Sequence, residues 1–364
     1  MLRELSAEER HQKDSLLEEL ARQQADLEKV PPIPQVYAAN SRQPGLTFVQ
    51  IRGDPAKPGE QVLTGGLSAL SKPSPEFGLE ENAPEAQRRL RLAEWILDPD
   101  NPLTTRVLVN RVWQYHFGRG IVGTSNDFGF NGERPSHPEL LDWLARWFMD
   151  HGWSLKALHK EIMLSSSYRQ SSRFREAPAE GDPENRLLWR YSPRRLEAEV
   201  IRDSLLATSG ELNGKMGGPG FRPFEVRIFN THFYDLKDSD EEEMKRRSVY
   251  RIVVRSAGDP LLESFDCPDS AFKAPRRSIT TTPLQSLALM NNSFVLRQVD
   301  RLAQRIEGEA GEVLPAQVDR AYRLTLGRTP RDGEAGRAIV HVQDHGLESL
   351  CWALFNSSEF LYLN

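Results

Sequence analysis

Only two cysteines occur in 364 residues, Cys267 and Cys351. They allow at most one disulfide, whose existence the sequence leaves open, and they exclude a cysteine-based zinc ribbon or an iron–sulfur cluster. The Cys-x-x-Cys-His pattern of haem attachment is absent, and neither a haem, a cluster nor a flavin site can be read, so the chain is expected to carry no cofactor of its own. No apolar run approaches the ~20 residues that span a bilayer, and the first thirty residues are charged throughout, with no signal-peptide core. Gly-x-Gly-x-x-Gly, the P-loop, Gly-x-Ser-x-Gly and His-Glu-x-x-His are all missing, which removes the common nucleotide-binding, serine-hydrolase and zinc-protease readings. A sustained basic stripe is lacking too: 47 Lys and Arg alternate with 52 Asp and Glu, and the net charge of −5 argues against a nucleic-acid partner.

What is present describes a globular chain long enough for two or three cores, 38% hydrophobic and 27% charged. Periodicity predicts a mainly α fold with minor β: an irregular multi-helix core, with short strands in an N-terminal connector and around 248–255. Residues 1–30 form a charged helix that starts from a Ser6/Glu9 capping box and ends at Pro31-Pro32. Residues 31–83 read as an extended, turn-rich connector, with TFVQIRG and EQVL as β-like runs. Residues 84–172 read as one helical core of four segments. Its apolar faces are Leu90/Ala93/Leu97, then Val109/Val112/Trp113/His116/Phe117, then Leu140/Leu141/Leu144/Trp147/Phe148 behind a Ser136/Glu139 capping box, and finally Leu155/Leu158/Ile162 behind Ser154. Residues 173–192 are a linker, and Ser192-Pro193 predicts a helix start. Residues 193–300 form an α+β segment with an exposed acidic loop at 213–245, the strand SVYRIVVR, and one long helix from Thr282-Pro283 with Gln285 as capping partner. Residues 301–364 close the chain with helices, one of them starting at Thr329-Pro330.

Several polar groups interrupt this pattern. Asn110, Arg111, Gln114 and Arg106 share one side of a helix whose other side is aromatic, with Asp127 in the loop that follows. An Arg fork beside Asp and Asn either binds a carboxylate, phosphate or sugar, or pins the loop at 118–132 to the helix. Arg195, Glu199 and Arg202 fall at helical spacings of four and three, with Asp203 adjacent, as a structural polar network. Arg251, Arg255, Asp266, Asp269, Arg276 and Arg277 supply either a second network or an anion-binding cleft. Thr280, Thr281 and Thr282 precede a helix N-terminus, where backbone donors favour an anionic oxygen; Thr281 is the candidate ligand contact. Asn291 falls among apolar positions, where its amide needs a partner. His116 and His137 read as structural rather than catalytic, and His341 and His345 lack the Glu and third ligand of a metal site. Glu133, Glu139, Glu197 and Glu199 are formal candidates for a glycosidase pair whose separation sequence does not reveal.

The segments Asn101 to Asp142, Arg194 to Asp203 (RRLEAEVIRD) and Arg276 to Asn292 (RRSITTTPLQSLALMNN) occur in that order, flanked by RGDPAKPGEQV and by LGRTPRDGE and LFNSSEFLYLN. From about Thr47 onward the chain resembles the planctomycete-specific domain of unknown function that closes large exported proteins, many of which begin with a cytochrome-c-like module. The resemblance implies context rather than a reaction: an extracytoplasmic setting, haem only in upstream modules of relatives, and partners among other modules or proteins of the same assembly, glycans included.

Two readings follow. In the first, the chain is a non-catalytic helical scaffold or interaction module whose Arg, Asp and Asn residues hold an irregular fold together. In the second, Arg111, Asp127, Arg255, Asp266, Arg277 and Thr281 converge on one cleft that binds or processes glycans or another anionic polymer. Convergence in space, and whether those charges are free or closed in pairs, decides between them.

Overall fold

The computed structural model describes residues 7–29, 40–254 and 256–363, and the chain divides after Asp98 into two compact units. Ser6, Pro31-Pro32 and Arg255 lie outside the described residues.

The first unit holds α1 (Ala7–Glu28), the antiparallel hairpin of β1 (Thr47–Gln50) and β2 (Pro58–Val62), and α2 (Glu85–Leu97). The hairpin falls on the two β-like runs, with Thr47 opposite Val62 and Phe48 opposite Gln61. Polar contacts organise the approach to α2. Arg88 donates to the carbonyls of Ala83 at 2.8 Å and Glu81 at 2.7 Å, and Glu85 accepts from the Arg42 amide at 2.9 Å. The Leu90/Ala93/Leu97 face predicted for the core is exposed, and α2 has no buried residue.

The second unit contains two hydrophobic cores. The first is built by α3 (Thr104–Phe117), α4 (Pro138–Asp150) and α5 (Leu155–Leu164), with Val109, Leu144, Phe148, Leu158 and Ile162 almost completely enclosed. Ile121 and Val122 from the α3–α4 loop join them. Ser154 caps α5 as predicted, accepting from the Ala157 amide at 3.2 Å. At α4 the predicted Ser136 cap is replaced by a Pro138 start behind His137. Ser136 instead bonds His137 Nδ1 at 2.9 Å and donates to the Ile121 carbonyl at 3.3 Å, fastening the loop rather than the helix.

The second core follows α6 (Glu176–Gly181) and β3 (Arg194–Arg195). It packs α7 (Ala198–Ser209), α8 (Pro260–Ser264), α9 (Pro283–Asn291), α10 (Ser293–Ala310), α11 (Leu314–Leu326), α12 (Glu334–His345), α13 (Leu347–Phe355) and α14 (Ser358–Leu361). Ile201, Leu205, Val295, Leu302, Ile306, Cys351 and Phe355 sit at its centre. Each fully buried Leu or Ile of this kind contributes about 1.5–3 kcal/mol relative to exposure. A hairpin of β4 (Phe224–Ile228) and β5 (His232–Leu236) projects from it, and the terminal β6 (Tyr362–Leu363) pairs with β3, Arg195 opposite Tyr362.

The fold is mainly α with minor β, its sheets being antiparallel two-stranded pairs. Four local expectations are corrected. The segment at 248–254 is not a strand: Ser248–Tyr250 forms a 3-10 turn, because Asp203 takes the Ser248 amide and hydroxyl and pulls the chain inward. The strands lie instead at 224–228 and 232–236, inside the segment read as an acidic loop. Ser192-Pro193 leads into β3, so the helix begins only at Ala198. The long helix from Pro283 breaks at Asn292, whose side chain accepts from the Phe294 amide at 3.0 Å and restarts the chain as α10.

Both cysteines are free thiols. Burial pushes the Cys351 thiol up to about 12. Among the described residues no helix is long and apolar enough to cross a membrane.

Candidate functional site

A cleft of about 410 Å³ lies within the second unit, lined by residues that include Gln114, Tyr115, Arg195, Glu197, Asp266 and Arg277. Three distant stretches of sequence meet at it. From α3, Gln114 donates to the Pro275 carbonyl at 3.1 Å. From β3, Arg194 donates to the carbonyls of Tyr115 and His116, the latter at 2.6 Å. Arg195 and Glu199 then face the segment that leads into α9.

Arg195 is nearly sealed, with 4% of its side chain exposed, and it is the hub of one network. It donates to Asp266 Oδ2 at 2.5 Å, to Gln285 Oε1 at 3.0 Å and to the Thr280 carbonyl. Its guanidinium also lies 5.7 Å from the centre of the Phe265 ring. Asp266 reaches it from a left-handed backbone conformation, φ +63°, immediately after α8, a region that Asp tolerates better than most side chains. The same carboxylate accepts from the Thr280 amide at 2.9 Å and hydroxyl at 2.7 Å. Burial acts to raise its pKa, but the Thr280 donors and Arg195 outweigh that and hold the carboxyl below its ordinary value. Gln285 has two duties here, since it is also the partner of Thr282 in the capping box of α9, as the sequence predicted.

A second pair lies alongside. Arg277 grips Glu199 with a fork, Nη1 to Oε2 at 2.6 Å and Nη2 to Oε1 at 2.9 Å, and its Nε stands 3.4 Å from Glu197. Burial again works to raise the Glu199 pKa, and the Arg277 fork reverses the sign. Cys267 sits 3.7 Å from Glu199. Burial first, and then that carboxylate, push its thiol up to about 11, so it carries no nucleophilic thiolate near neutrality.

Of the six residues expected to converge, the structure brings Asp266 and Arg277 to one cleft, whereas Arg111, Asp127 and Thr281 do not line it and Arg255 lies outside the described residues. Arg111 is held by Asn126, and Asp127 accepts from the Gly129 amide at 2.8 Å, so the two do not form the expected pair. Thr281 is exposed. Asn291, read as a buried amide, is also exposed at the end of α9 and donates to the Leu287 carbonyl at 3.0 Å. Arg195 does not share a helix face with Glu199 and Arg202, because it belongs to β3. Arg202 is buried between the Phe221 and Phe294 rings and donates to Ser248 Oγ at 3.2 Å and the Arg246 carbonyl at 3.0 Å. Asp203 serves Ser248 as described above. Of the carboxylates weighed as an acid pair, Glu133 is tied to Arg119 at 2.9 Å, Glu139 is exposed, and Glu199 is locked by Arg277.

Asn110 is fully enclosed. Its Oδ1 accepts from the Val122 amide at 2.8 Å and its Nδ2 donates to the Val122 carbonyl at 3.0 Å, so one side chain satisfies both backbone polar groups of the buried Val122. Gly120 lies so close that a Cβ there would stand 2.6 Å from this amide. Asn110→Ala strands both backbone groups and is expected to cost about 2–4 kcal/mol in urea denaturation. A loss under 1 kcal/mol would show that the loop is held by its apolar contacts instead.

His116 is half-buried rather than enclosed, and its Nε2 lies 2.8 Å from His159 Nδ1. Burial, then the charges of His159 and Arg194, lower its pKa. His341 bonds Ser349 Oγ at 2.9 Å. Among the described residues no three His, Cys, Asp or Glu side chains gather to hold a metal ion. Sequence reasoning passed over Arg246, one of the most deeply buried side chains, and the pair of Arg251 with Asp259. The residues flanking Arg246 are mostly charged, and its partners are backbone carbonyls, which carry no sequence signature.

The arrangement defines a mainly helical protein with a cleft in its second unit whose wall carries two arginine–carboxylate pairs. The family model described as PSD1, Protein of unknown function (DUF1553), matches residues 88–341, and the chain belongs to that family. No curated protein and no solved structure matches it.

Proposed function

We propose that the chain is a non-catalytic helical scaffold or interaction module. The observation that carries this reading is that the acidic and basic groups converging on the cleft are spent on each other: Arg195 on Asp266, and Arg277 on Glu199. A glycosidase-type mechanism needs a carboxyl kept protonated near neutrality, yet the Glu199 and Asp266 carboxyls are both held below their ordinary values. These pairs join residues 71 and 78 positions apart, which suits a role in fixing the fold.

The ordered motifs of the sequence support a finer placement. We place the chain towards the C-terminal end of exported, extracytoplasmic planctomycete proteins, beside cytochrome-like or carbohydrate-binding modules, with haem confined to those modules and with other parts of the assembly as its partners.

A second reading, a glycan- or anion-binding cleft, is favoured by one observation: Tyr115 and Arg276, both exposed, line the 410 Å³ space. A thermal-shift screen against sulfated and neutral oligosaccharides, inorganic phosphate and divalent cations separates the two. The scaffold reading expects no shift with any of them, and a lower melting midpoint for Arg277→Ala. A glycan-induced rise that Arg277→Ala or Arg276→Ala abolishes would replace it with the ligand-binding reading.

A further inference from the structure

The strand β4 reads Phe224-Glu225-Val226-Arg227-Ile228: apolar at both ends and at the centre, with an acid before the centre and a base after it. It lies in a two-stranded sheet with β5, and among the described residues no other strand pairs with it. One edge of β4 is therefore open. An isolated two-stranded hairpin is marginal in water, and open edges are commonly blocked by lysines, prolines or bulges. β4 contains no lysine or proline, and its pairing with β5 runs unbroken from Phe224–Leu236 to Ile228–His232.

The pleat decides which groups that edge offers. The Lys237 amide donates to the Pro223 carbonyl at 3.0 Å, and the Phe229 amide donates to the Thr231 carbonyl at 3.1 Å. Hydrogen-bonded pairs alternate between these two points, so Glu225 and Arg227 turn their backbone groups towards β5, and Phe224, Val226 and Ile228 turn theirs to the open edge. The side chains of these three share one face with Tyr234 and Leu236. Cover over that face thins along the hairpin: Phe224 is buried, Val226 is 41% exposed and Ile228 73%. On the other face Glu225 stands opposite Asp235, an unfavourable like-charge pair, with Lys237 3.5 Å away. Arg227 donates to Asp235 through Nε and Nη2, the latter at 3.0 Å, which leaves Nη1 uncommitted.

We propose that β4 pairs antiparallel with β4 of a second copy of this chain, about a twofold axis at Val226, giving a four-stranded sheet in the order β5-β4-β4-β5. The strand is complementary to itself in this register. Val226 meets Val226, Phe224 of each copy meets Ile228 of the other, and Glu225 of each meets Arg227 of the other, whose Nη1 can receive it. A shift of one residue sets a charge against an apolar side chain, and centring the axis on Glu225 or Arg227 sets like charge against like. The same operation on β5 would place Phe233 against Asp235, so only the β4 edge matches itself. Ile228, largely exposed in one chain, comes to lie beside Phe224 at the base of the other hairpin. This surface is separate from the Arg195–Asp266 cleft, and the proposal does not depend on the reading given to that cleft.

The test is sedimentation equilibrium of the full chain across the micromolar range. A small interface of this kind is expected to hold with a Kd of about 1–100 µM. Glu225→Arg places like charges opposite each other at both ends of the pairing, as does Arg227→Glu, and each should weaken self-association about tenfold or more. Mixed together, the two variants are complementary again and should form a heterodimer, an outcome that general destabilisation does not produce. Should Arg227→Glu lose the hairpin, Val226→Pro, which removes only an outward amide, must abolish the dimer instead. Hydrogen exchange should slow at the Val226 amide as concentration rises, but not at the Tyr234 amide, which faces the outer edge of β5. A chain monomeric throughout would overturn the proposal and leave the edge to a strand of another protein. A dimer indifferent to both swaps and to Val226→Pro would overturn it as well, placing association on another surface such as Leu16, Leu17 and Leu20, which are exposed on α1. So would a mixture of the folded variants that stays monomeric.

Discussion

Asp266→Ala is expected to lower stability by about 3–5 kcal/mol, the range for removing one partner of a buried ion pair. Three losses add up at this position. Arg195, almost without solvent access, is left with an uncompensated charge. The Thr280 amide and hydroxyl lose their acceptor. Alanine must also occupy φ +63°, where it lacks the local hydrogen bonding that makes Asp tolerable. The melting midpoint should fall by about 10 °C, at ~2–4 °C per kcal/mol for a domain of this size. Asp266→Asn keeps the backbone tolerance and one acceptor oxygen, so it should cost about half as much. The pH dependence has a definite sign. The folded carboxyl titrates below its unfolded value of 3.8, so the contribution is complete above that value and is lost as the pH falls through the folded pKa. Wild type and Asp266→Ala should therefore differ fully at pH 7 and converge in acid below about pH 4. Urea titrations across that range test both statements. A difference under 1 kcal/mol at pH 7 would mean that water takes over the role of the carboxylate, and the cleft would have to be treated as open.

How much of this was legible in the sequence depends on how local the determinants are. α3, α4 and α5 follow from apolar spacing, the cap at Ser154 follows from a Ser placed just ahead of an apolar run, and the cap at Thr282/Gln285 follows from residue types three apart. The hairpin of β1 and β2 was signalled by its β-like runs and intervening turn residues. The failures have equally local causes. SVYRIVVR has the composition of a strand, but Asp203, 45 residues earlier, captures Ser248 and imposes a turn. FEVRIFNTHFYDL is interrupted by charges, yet it pairs with itself from Phe224–Leu236 to Ile228–His232. At the cleft, Asp266 and Arg277 were identifiable as individual residues. Their partners were not, because the choice between Glu197, Glu199 and Asp269 for Arg277, or between Arg195 and Arg277 for Asp266, is made by tertiary distances alone. The expected Arg111–Asp127 pair failed for the opposite reason. Asp127 is committed to its own turn through Gly129, so a plausible long-range partner lost to a short-range one.

Arg246→Ala is expected to match Asp266→Ala in size, about 3–5 kcal/mol, although no carboxylate pairs closely with it. Only 1% of Arg246 is exposed. Its Nη1 donates to the Pro219 carbonyl at 2.8 Å, and its Nη2 donates to Gly217 at 2.6 Å and to Lys215 at 3.4 Å. The guanidinium lies 4.2 Å from the centre of the Tyr250 ring, and Glu243 approaches only to 3.5 Å. One side chain thus satisfies the carbonyls of a glycine-rich loop whose Gly217 and Gly218 both have positive φ. Truncation leaves those carbonyls without donors and empties the space over Tyr250. Arg246→Lys keeps the charge but not the fork, so it should recover only part of the loss. Hydrogen exchange distinguishes this account from a general weakening of the core. The Phe221 amide, bonded to the Tyr250 carbonyl at 2.9 Å, should lose protection well before Ile201 or Leu302 do. Uniform loss across all three would mean that the loop unfolds only with the whole unit.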